Sequence, residues 1–285
     1  MACSVQSQYA TQIATSTDCH NKNKGASMDI QNKIAIITGG ASGLGLGACE
    51  ELVKKGAKVC IFDLNEETAQ QAVEALGSEN ATYAKVNVTD EASVEAGIAH
   101  CLKVYGELHI VLNCAGIGPP EKVINRDGEP LPLANFKKIV DINLFGSFNV
   151  LSKAAAKMAT MTPVNEDNSR GVIINVASVA AFDGQIGQPA YAASKAGIVG
   201  MALPIARELA RYGIRVNTIA PGLFKTPLAM SLPDNVVEAL GNSVDYPKRL
   251  GSPTEFGKLV VHMAENDYLN GEVIRLDGAI RMAAK

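Results

Sequence analysis

Short apolar runs alternate with longer amphipathic segments along most of the chain. Runs rich in β-branched and aliphatic residues predict strands buried on both faces of a sheet. The segments between them repeat apolar residues at helical spacing and predict helices. The predicted strands are KIAIITGG, KVCIFDL, ATYAKVNVT, LHIVLNCAG, GVIINVAS, IRVNTIAPG and GEVIRLDGA. The predicted helices are GLGACEELVKKG, NEETAQQAVEALG, DEASVEAGIAHCLKVYG, residues 133–161, residues 189–212 and TEFGKLVVHMAEN.

Two segments interrupt this alternation. Residues 119–132 are polar and rich in proline, which predicts a loop or insertion, and residues 223–250 read as irregular or helical. Neither segment separates two cores, and no internal repeat or linker is visible. Strands alternating with helices imply a parallel sheet covered on both faces. The sequence therefore predicts an α/β fold, a single doubly wound domain over residues 28–285 with a seven-stranded parallel sheet and helices on both faces.

A glycine-rich segment, TGGASGLG, joins the first predicted strand to the first predicted helix. Gly39, Gly43 and Gly45 follow the spacing T-G-x-x-x-G-x-G, a variant of the dinucleotide fingerprint. Glycine permits the tight turn and lets the backbone approach a pyrophosphate, while the helix N-terminus offers free N–H groups to its charge. This position predicts a dinucleotide site of the Rossmann type. A turn without a ligand is the alternative.

Asp63 ends the second predicted strand. A carboxylate at this place accepts hydrogen bonds from both ribose hydroxyls of an adenosine and repels a 2′-phosphate. No basic residue follows it, since the next residues are Leu64 and Asn65. Asp63 therefore favours NAD over NADP. The alternative is that it merely caps the following helix.

The segment YAASK places Tyr191 and Lys195 on one face of a predicted helix, because residues i and i+4 are neighbours there. A free phenol has a pKa of about 10, too high for a base at neutral pH. A fixed ammonium and a positively charged nicotinamide ring favour the phenolate and lower that pKa. Tyr191 can then take a proton from an alcohol or give one to a carbonyl. Because Y-x-x-x-K is common by chance, this prediction needs a further residue.

Ser178 is that residue. It closes the fifth predicted strand, at the edge where ligands of open α/β sheets bind. Its hydroxyl can bind the substrate oxygen and steady the charge that develops on it. The alternative role of Ser178 is to cap a turn or a helix.

Composition narrows the class of protein. The chain has 285 residues, 47% hydrophobic, enough for one large core. A net charge of −3 indicates neither a nucleic-acid nor a membrane partner. The histidines lack metal-ligand spacing, so no metal is predicted. The cysteines form no C-x-x-C pair and are expected to be reduced: Cys3, Cys19, Cys49, Cys60, Cys101 and Cys114.

Residues 1–27 differ from the rest of the chain. They are rich in Ser, Thr and Gln and have neither a long apolar core nor an arginine. This composition is unlike a secretory signal or a mitochondrial transit peptide. We expect a disordered N-terminal tail, or an over-extended start upstream of Met28, and a cytoplasmic protein.

Together these motifs resemble the short-chain dehydrogenase/reductase family. The resemblance runs from residue 33 to residue 280 and rests on TGGASGLG, NCAG, Ser178, YAASK and the pair Pro221 and Gly222. It implies that Asn143 is a fourth catalytic residue, anchoring a water in a proton relay with Lys195. The pattern alone reads Asn143 as an ordinary polar residue of a helix.

Three longer segments resemble a subgroup of this family that oxidises 3-hydroxyacyl-CoA, including 2-methyl-3-hydroxybutyryl-CoA, with NAD, and acts on some hydroxysteroids: RGVIINVASVAAFDGQIGQPAYAASKAGIVGMALPIA, IAPGLFKTPL and LNGEVIRLDGAIRM. This resemblance implies a homotetramer, and a substrate pocket bordered by Gln185, Ser178 and Tyr191. The cofactor residues it implies are Gly39, Ser42, Gly43, Leu44, Gly45, Asp63, Asn87, Val88, Cys114, Ala115, Gly116, Tyr191, Lys195, Pro221, Phe224 and Thr226.

The chain departs from this subgroup in two places. Asn87 stands where the subgroup usually has Asp, at a position implied to bind the adenine amino group, so adenine recognition is expected to be weaker. The loop 118–132 also differs in composition and is implied to shape acyl and CoA binding. Lys122 and Arg126 are candidates for the CoA 3′-phosphate, and a solvated loop face is the alternative.

The resulting hypothesis is an NAD-dependent 3-hydroxyacyl-CoA dehydrogenase with Tyr191 as general base. One rival is a 3-oxoacyl-carrier-protein reductase that uses NADPH, which Asp63 disfavours. A hydroxysteroid or secondary-alcohol dehydrogenase is another. A non-catalytic nucleotide-binding scaffold is the rival from a different class, and the presence of Ser178, Tyr191 and Lys195 speaks against it.

Overall fold

The computed structural model describes residues 27–284, and its centre is one seven-stranded sheet. Every neighbouring pair of strands is parallel, in the order β3-β2-β1-β4-β5-β6-β7. The predicted fold class is therefore confirmed. The strands are β1 (Ile34–Thr38), β2 (Lys58–Asp63), β3 (Ala81–Lys85), β4 (Ile110–Asn113), β5 (Gly171–Val176), β6 (Ile214–Pro221) and β7 (Val273–Leu276).

Helices cover both faces of the sheet, because the buried strand residues alternate between two cores. In β1, Ala35 and Ile37 join one core, and Ile34 and Ile36 join the other. The first core is covered by α1, α2 and α9, the second by α3, α5 and α6. The helices are α1 (Gly43–Lys54), α2 (Glu66–Leu76), α3 (Glu91–Tyr105), α4 (Leu133–Val140), α5 (Gly146–Met158), α6 (Pro189–Leu209), α7 (Pro227–Met230), α8 (Asp234–Asn242) and α9 (Pro253–Glu265).

The long helix predicted over residues 133–161 is interrupted at its centre. A π-helical turn, Asp141–Phe145, separates α4 from α5, so the predicted helical region is confirmed over residues 133–158 but is not α-helical throughout. Such a turn spaces its backbone bonds more widely than an α-helix does. Here the Ser147 hydroxyl donates to the carbonyl of Asn143 at 2.7 Å, which satisfies a backbone group inside the altered turn.

The described part of the chain begins at Ser27, directly before the first core residues. Met28 and Ile30 are each 1% exposed and pack into the first core, so the start of the described chain belongs to the packed domain. The predicted tail lies outside the described residues except for Ser27 and stays a prediction. Within residues 27–284, no helix has the length and apolar character needed to cross a bilayer.

Candidate active site

A cleft of about 990 Å³ opens at the carboxyl ends of the strands. It lies where the strand order reverses between β1 and β4, which is where dinucleotides bind in open α/β sheets. Apart from Asn143, all of the predicted cofactor, substrate and catalytic residues lie in its wall. The sequence had scattered these residues over seven segments, and the sheet topology brings them together.

The glycine-rich turn forms a close cradle at the N-terminus of α1. Gly39 has a φ of +64°, and a Cβ there would lie 3.1 Å from the Cα of Ala115. A Cβ at Gly45 would collide with the backbone of Gly39. Ser42 is the N-cap residue but its side chain makes no capping bond, and the first turn carries no acid. The free N–H groups at the start of α1, and the lack of a side chain at Gly39 and Gly45, fit a pyrophosphate.

The end of β1 is tied to the end of β4 across the cleft floor. The Thr38 hydroxyl accepts hydrogen bonds from the backbone N–H groups of Cys114 and Ala115, both at 3.0 Å. Cys114 is half-buried, and burial raises the pKa of its thiol to about 11, so it is protonated at neutral pH. This cysteine is a neutral wall residue of the cleft.

Asp63 projects from the end of β2 and is not the cap of α2. Its Oδ2 accepts from the N–H of Ala41 at 3.3 Å and its Oδ1 from the N–H of Asn65 at 3.1 Å. Asn65 itself caps α2 by accepting from Thr68. Lys85 lies opposite Asp63 on β3, but its ammonium pairs with Glu66 at 2.8 Å. The carboxylate thus stands in the cleft with this neighbouring cation turned elsewhere.

Asn87 presents its amide group rather than its oxygen. Its Oδ1 accepts from the backbone N–H of Thr89 at 3.1 Å and from the Thr89 hydroxyl at 2.9 Å. A carbonyl oxygen has two lone pairs, so both are used, and the group left for a ligand is the Nδ2 donor. An amino group donates hydrogen bonds, so this geometry leaves Asn87 no free acceptor for the adenine amino group.

Tyr191 and Lys195 share one face of α6, as predicted. The Nζ of Lys195 lies 5.7 Å from the centre of the Tyr191 ring and donates to the carbonyl of Val176 at 2.7 Å. Lys195 is 4% exposed, and burial lowers its pKa to about 8. Because this value still lies above neutral pH, Lys195 carries its charge there.

The Tyr191 phenol is held away from water. Burial raises its pKa, and its hydrogen bond with Ser178 acts in the opposite direction. The prediction of a lowered pKa concerns the site with the charged nicotinamide bound and stays a prediction. In the protein alone, loss of hydration outweighs the neighbouring groups. Ser178 also accepts from the N–H of Ala180 at 3.1 Å, so its capping role exists beside its contact with Tyr191.

Asn143 is fully buried within the π-helical turn. Its Oδ1 accepts from the N–H of Ile117 and its Nδ2 donates to the carbonyl of Ile117, both at 2.8 Å. A Cβ at Gly116 would lie 3.0 Å from Asn143 Oδ1 and 3.5 Å from Lys195 Nζ, so the two residues flank this glycine. Asn143 thus holds the backbone beside the catalytic lysine. The water-anchoring role stays a prediction.

The substrate side of the cleft is walled by loops. The Gln185 Nε2 donates to the carbonyl of Ala283 at 3.0 Å, so this predicted substrate residue is tied to the C-terminal segment. Sequence reasoning missed Gly118, where a Cβ would lie 3.0 Å from the Tyr191 ring, and Gln188 and Met282, which line the cleft. Gln188 and Met282 lie in the segments that resemble the subgroup, and Gly118 begins the loop 118–132, but no pattern within these segments singles out any of the three residues.

The two candidate CoA-phosphate residues lie elsewhere. Lys122 and Arg126 are exposed on the loop 119–132 and are not part of the cleft wall. This loop forms a small turn closed by a bridge between Ile124 and Pro130. Either cation could reach only the part of a ligand that leaves the cleft.

Comparison with known proteins gives a consistent result. A family model described as short chain dehydrogenase matches residues 33–236. The chain is 49% identical to 3-hydroxyacyl-CoA dehydrogenase type-2 from Homo sapiens, over 90% of this chain and 98% of that protein. It is 46% identical to the protein of the same name from Drosophila melanogaster, over 89% of this chain and 99% of that one.

A solved structure agrees with the fold. The crystal structure of 3-hydroxyacyl-CoA dehydrogenase type-2 from Mycobacterium avium matches with a TM-score of 0.85 and 40% identity, over 89% of this chain and 98% of that one. The resemblance noted from the motifs is thereby confirmed. The chain belongs to the short-chain dehydrogenase/reductase family and is a dehydrogenase that acts on a CH–OH group.

Proposed function

We propose that this dehydrogenase oxidises the 3-hydroxyl of 3-hydroxyacyl-CoA, including short and 2-methyl-branched chains, to the ketone with NAD. The observation that carries the substrate class is the name shared by relatives at 46% to 49% identity, each covered almost completely. Residues of the cleft support the individual steps.

NAD is the cofactor favoured by the charge at the end of β2. Asp63 would accept the adenosine ribose hydroxyls, and its carboxylate would repel the 2′-phosphate of NADP. Lys85, the nearest cation on the neighbouring strand, is paired with Glu66. The glycine cradle at Gly39 and Gly45 would hold the pyrophosphate. When bound, NAD accepts the hydride and brings a positive charge close to the catalytic residues.

Tyr191 is the general base of the proposed reaction. The substrate hydroxyl would bind at the Tyr191 and Ser178 oxygens, and the Ser178 hydroxyl is close enough to lower the pKa of Tyr191. Tyr191 then removes the hydroxyl proton while Ser178 holds the oxygen. Lys195, charged at neutral pH, stabilises the phenolate that must form. Because burial raises the pKa of Tyr191 in the protein alone, deprotonation would depend on the charge that the cofactor brings.

Proton exit is assigned to Lys195 and Asn143. Lys195 is hydrogen-bonded to Val176, and Asn143 fixes the backbone of Ile117 on the other side of Gly116. In this arrangement the Lys195 ammonium would give a proton to a water and take one back from Tyr191, and Asn143 would keep the adjoining backbone in place for that water. The site needs no metal in this scheme.

Two rival functions share the fold. A 3-oxoacyl-carrier-protein reductase using NADPH would need a cation at the adenosine ribose, where this chain has Asp63. A hydroxysteroid or secondary-alcohol dehydrogenase would use the same Ser178, Tyr191 and Lys195 and differ only in the substrate half of the cleft. A non-catalytic nucleotide-binding scaffold has no use for the hydrogen-bonded pair of Tyr191 and Ser178.

We further propose a homotetramer in the cytoplasm. Large apolar side chains stand exposed on the segment from α4 to α5, with Leu133 71%, Phe145 59% and Phe148 52% exposed, which supports burial against another copy. Cys49, Cys60 and Cys101 are unpaired and buried, which suits a reducing compartment. Light scattering during gel filtration would measure the oligomeric state directly.

The first experiment follows NADH formation by absorbance. Purified protein is given 3-hydroxybutyryl-CoA, 2-methyl-3-hydroxybutyryl-CoA or a hydroxysteroid, each with NAD and with NADP, beside the Tyr191→Phe variant. Turnover of a CoA ester with NAD, absent in the variant, is the expected result. Turnover of none of the CoA esters despite measurable NAD binding would overturn the substrate assignment and leave the fold intact.

A further inference from the structure

The chain after β7 returns to the substrate side of the cleft. Gly278 and Ala279 both have left-handed backbones, with φ of +60° and +67°, and turn the chain sharply. Left-handed geometry is costly for a non-glycine residue and persists only where the surroundings enforce it. Beyond the turn, Ile280 is 4% exposed, so the segment is packed onto the domain rather than released from it.

Backbone and side-chain bonds fix this C-terminal segment, residues 280–284, to the loop that leads into α6. The N–H of Ile186 donates to the carbonyl of Ala284 at 3.0 Å, and Gln185 donates to Ala283 at 3.0 Å. The two contacts are adjacent in both partners, so the two segments run side by side. Met282 lies next to this contact and in the wall of the cleft.

A second set of hydrogen bonds, made by Arg275, joins the same two segments. Arg275 on β7 binds both carboxylate oxygens of Asp183, at 2.6 and 3.2 Å, and donates to the carbonyl of Ile280 at 3.0 Å. It also lies 5.4 Å from the centre of the Phe182 ring. One guanidinium therefore joins the loop before α6 to the start of the C-terminal segment. A bidentate pair between Arg and a carboxylate restricts the relative orientation of the two groups and also stabilises their contact.

We infer that the C-terminal segment is a wall of the substrate site and that Met282 sets the upper length of the chain carried by the reacting carbon. Met282 is half-buried and apolar, it lines the cleft, and its neighbour Ala283 accepts the hydrogen bond from Gln185. A methionine packs against alkyl chains of varied shape. This inference rests on the proposed function, since it assigns the acyl group of the substrate to this wall.

The test is a chain-length profile in three variants. Met282→Ala enlarges the site, and we expect the ratio of kcat/KM for 3-hydroxyoctanoyl-CoA over 3-hydroxybutyryl-CoA to rise about tenfold. Met282→Phe fills the site and should lower that ratio to a similar extent. Met282→Leu conserves volume and should leave it within about twofold. A ratio unchanged in both Ala and Phe variants, with turnover of the short substrate retained, would overturn the inference.

A parallel series separates this inference from the substrate proposal. The same variants are assayed with secondary alcohols that carry no CoA, from 2-butanol to 2-octanol. Turnover of these alcohols but not of CoA esters would sink the proposed substrate, and the length ratio would still decide the role of Met282. Turnover of neither series, with NADH binding intact, would overturn both.

Discussion

The two proposed halves of the cleft, one for adenine and one for the substrate, are formed by different kinds of structural element. The adenine half consists of strand ends and the turns directly after them: Gly39 and Gly45 after β1, Asp63 on β2 and Asn87 after β3. The half proposed for the substrate consists of Ile117, Gly118 and Pro120, of Gln185 and Gln188, of the segment after β6 and of Met282 in the C-terminal segment. Strand ends are fixed by the sheet register, whereas loops are fixed by individual side-chain contacts such as that between Arg275 and Asp183.

This difference separates what each half determines. Changes in the adenine half should alter cofactor binding and leave chain-length preference unchanged, and changes in the substrate half should do the reverse. Tyr191, Lys195 and Ser178 lie in the same cleft, and changes at these residues should act mainly on the chemical step.

The largest effect is expected for Tyr191→Phe. Removing the phenolic oxygen removes the general base, so kcat should fall by about a thousandfold. NADH affinity, measured by fluorescence titration, should change by less than about threefold, because the ring remains. A loss of NADH affinity as large as the loss of kcat would show that Tyr191 acts mainly in cofactor binding. The proposed separation between cofactor binding and the chemical step would then be wrong.

Asp63→Ala tests the adenine half. Loss of charge-assisted hydrogen bonds to the ribose should lower kcat/KM for NAD by about 10- to 100-fold and raise the relative use of NADP. The ratio of rates with long and short substrates should stay unchanged, which is the control internal to the experiment. A shift in that ratio would mean that the two halves are coupled.

Lys195→Met tests the charge buried between the halves. Burial lowers the pKa of Lys195 from 10.5 to about 8, so between these values the unfolded chain holds a proton that the folded chain has released. Stability of the native protein therefore rises with pH across this window, and the buried charge is most costly below pH 8. The Tm of the variant minus that of the native protein should be largest at neutral pH and shrink as pH rises toward 10.

The matched control for this experiment is Lys157→Met, which removes a lysine exposed on α5. Its Tm difference should not follow pH in the same window. A flat difference for Lys195→Met as well would contradict the assigned protonation of the buried ammonium.

The smallest effect is expected for Asn87→Asp. The Oδ1 of Asn87 is already used by Thr89, so the second oxygen of an aspartate would be a free acceptor for an amino group. NADH should bind about three- to tenfold more tightly. Reduced nicotinamide hypoxanthine dinucleotide, which lacks the amino group, should gain nothing. An equal gain for both ligands would point to charge rather than to this hydrogen bond.

The adenine half and the strand order are the parts that a sequence can predict. Buried parallel strands are recognisable in the sequence as apolar runs. The glycine-rich turn and Asp63 lie at the ends of two of those runs. The carboxyl ends of parallel strands meet at one edge, so placing Ser178 at a strand end also places it near Gly39. Tyr191 and Lys195 were predictable because helix geometry alone puts them together.

The substrate half depends on contacts between distant segments, which no local pattern encodes. The bond between Gln185 and Ala283 joins residues 98 positions apart, and nothing around Met282 marks it as a cleft residue. The raised pKa of Tyr191 in the protein alone could not be predicted from the sequence, because burial of its ring is a property of the folded site. The sequence pattern alone shows Asn143 as an ordinary polar residue of a helix, because no local pattern marks the π-helical turn that buries it.

The π-helical turn at Asp141–Phe145 has a consequence for how this part of the chain tolerates change. A wide turn amounts to one residue more than the α-helical count, so it shifts the helical phase by about 100° between α4 and α5. Deleting a single residue here would restore a regular helix and rotate one end of it against the other. Either Asn143 would lose its hydrogen bonds with Ile117, or Phe148 would rotate away from the exposed face of α5. Insertions and deletions should therefore be far less tolerated here than substitutions.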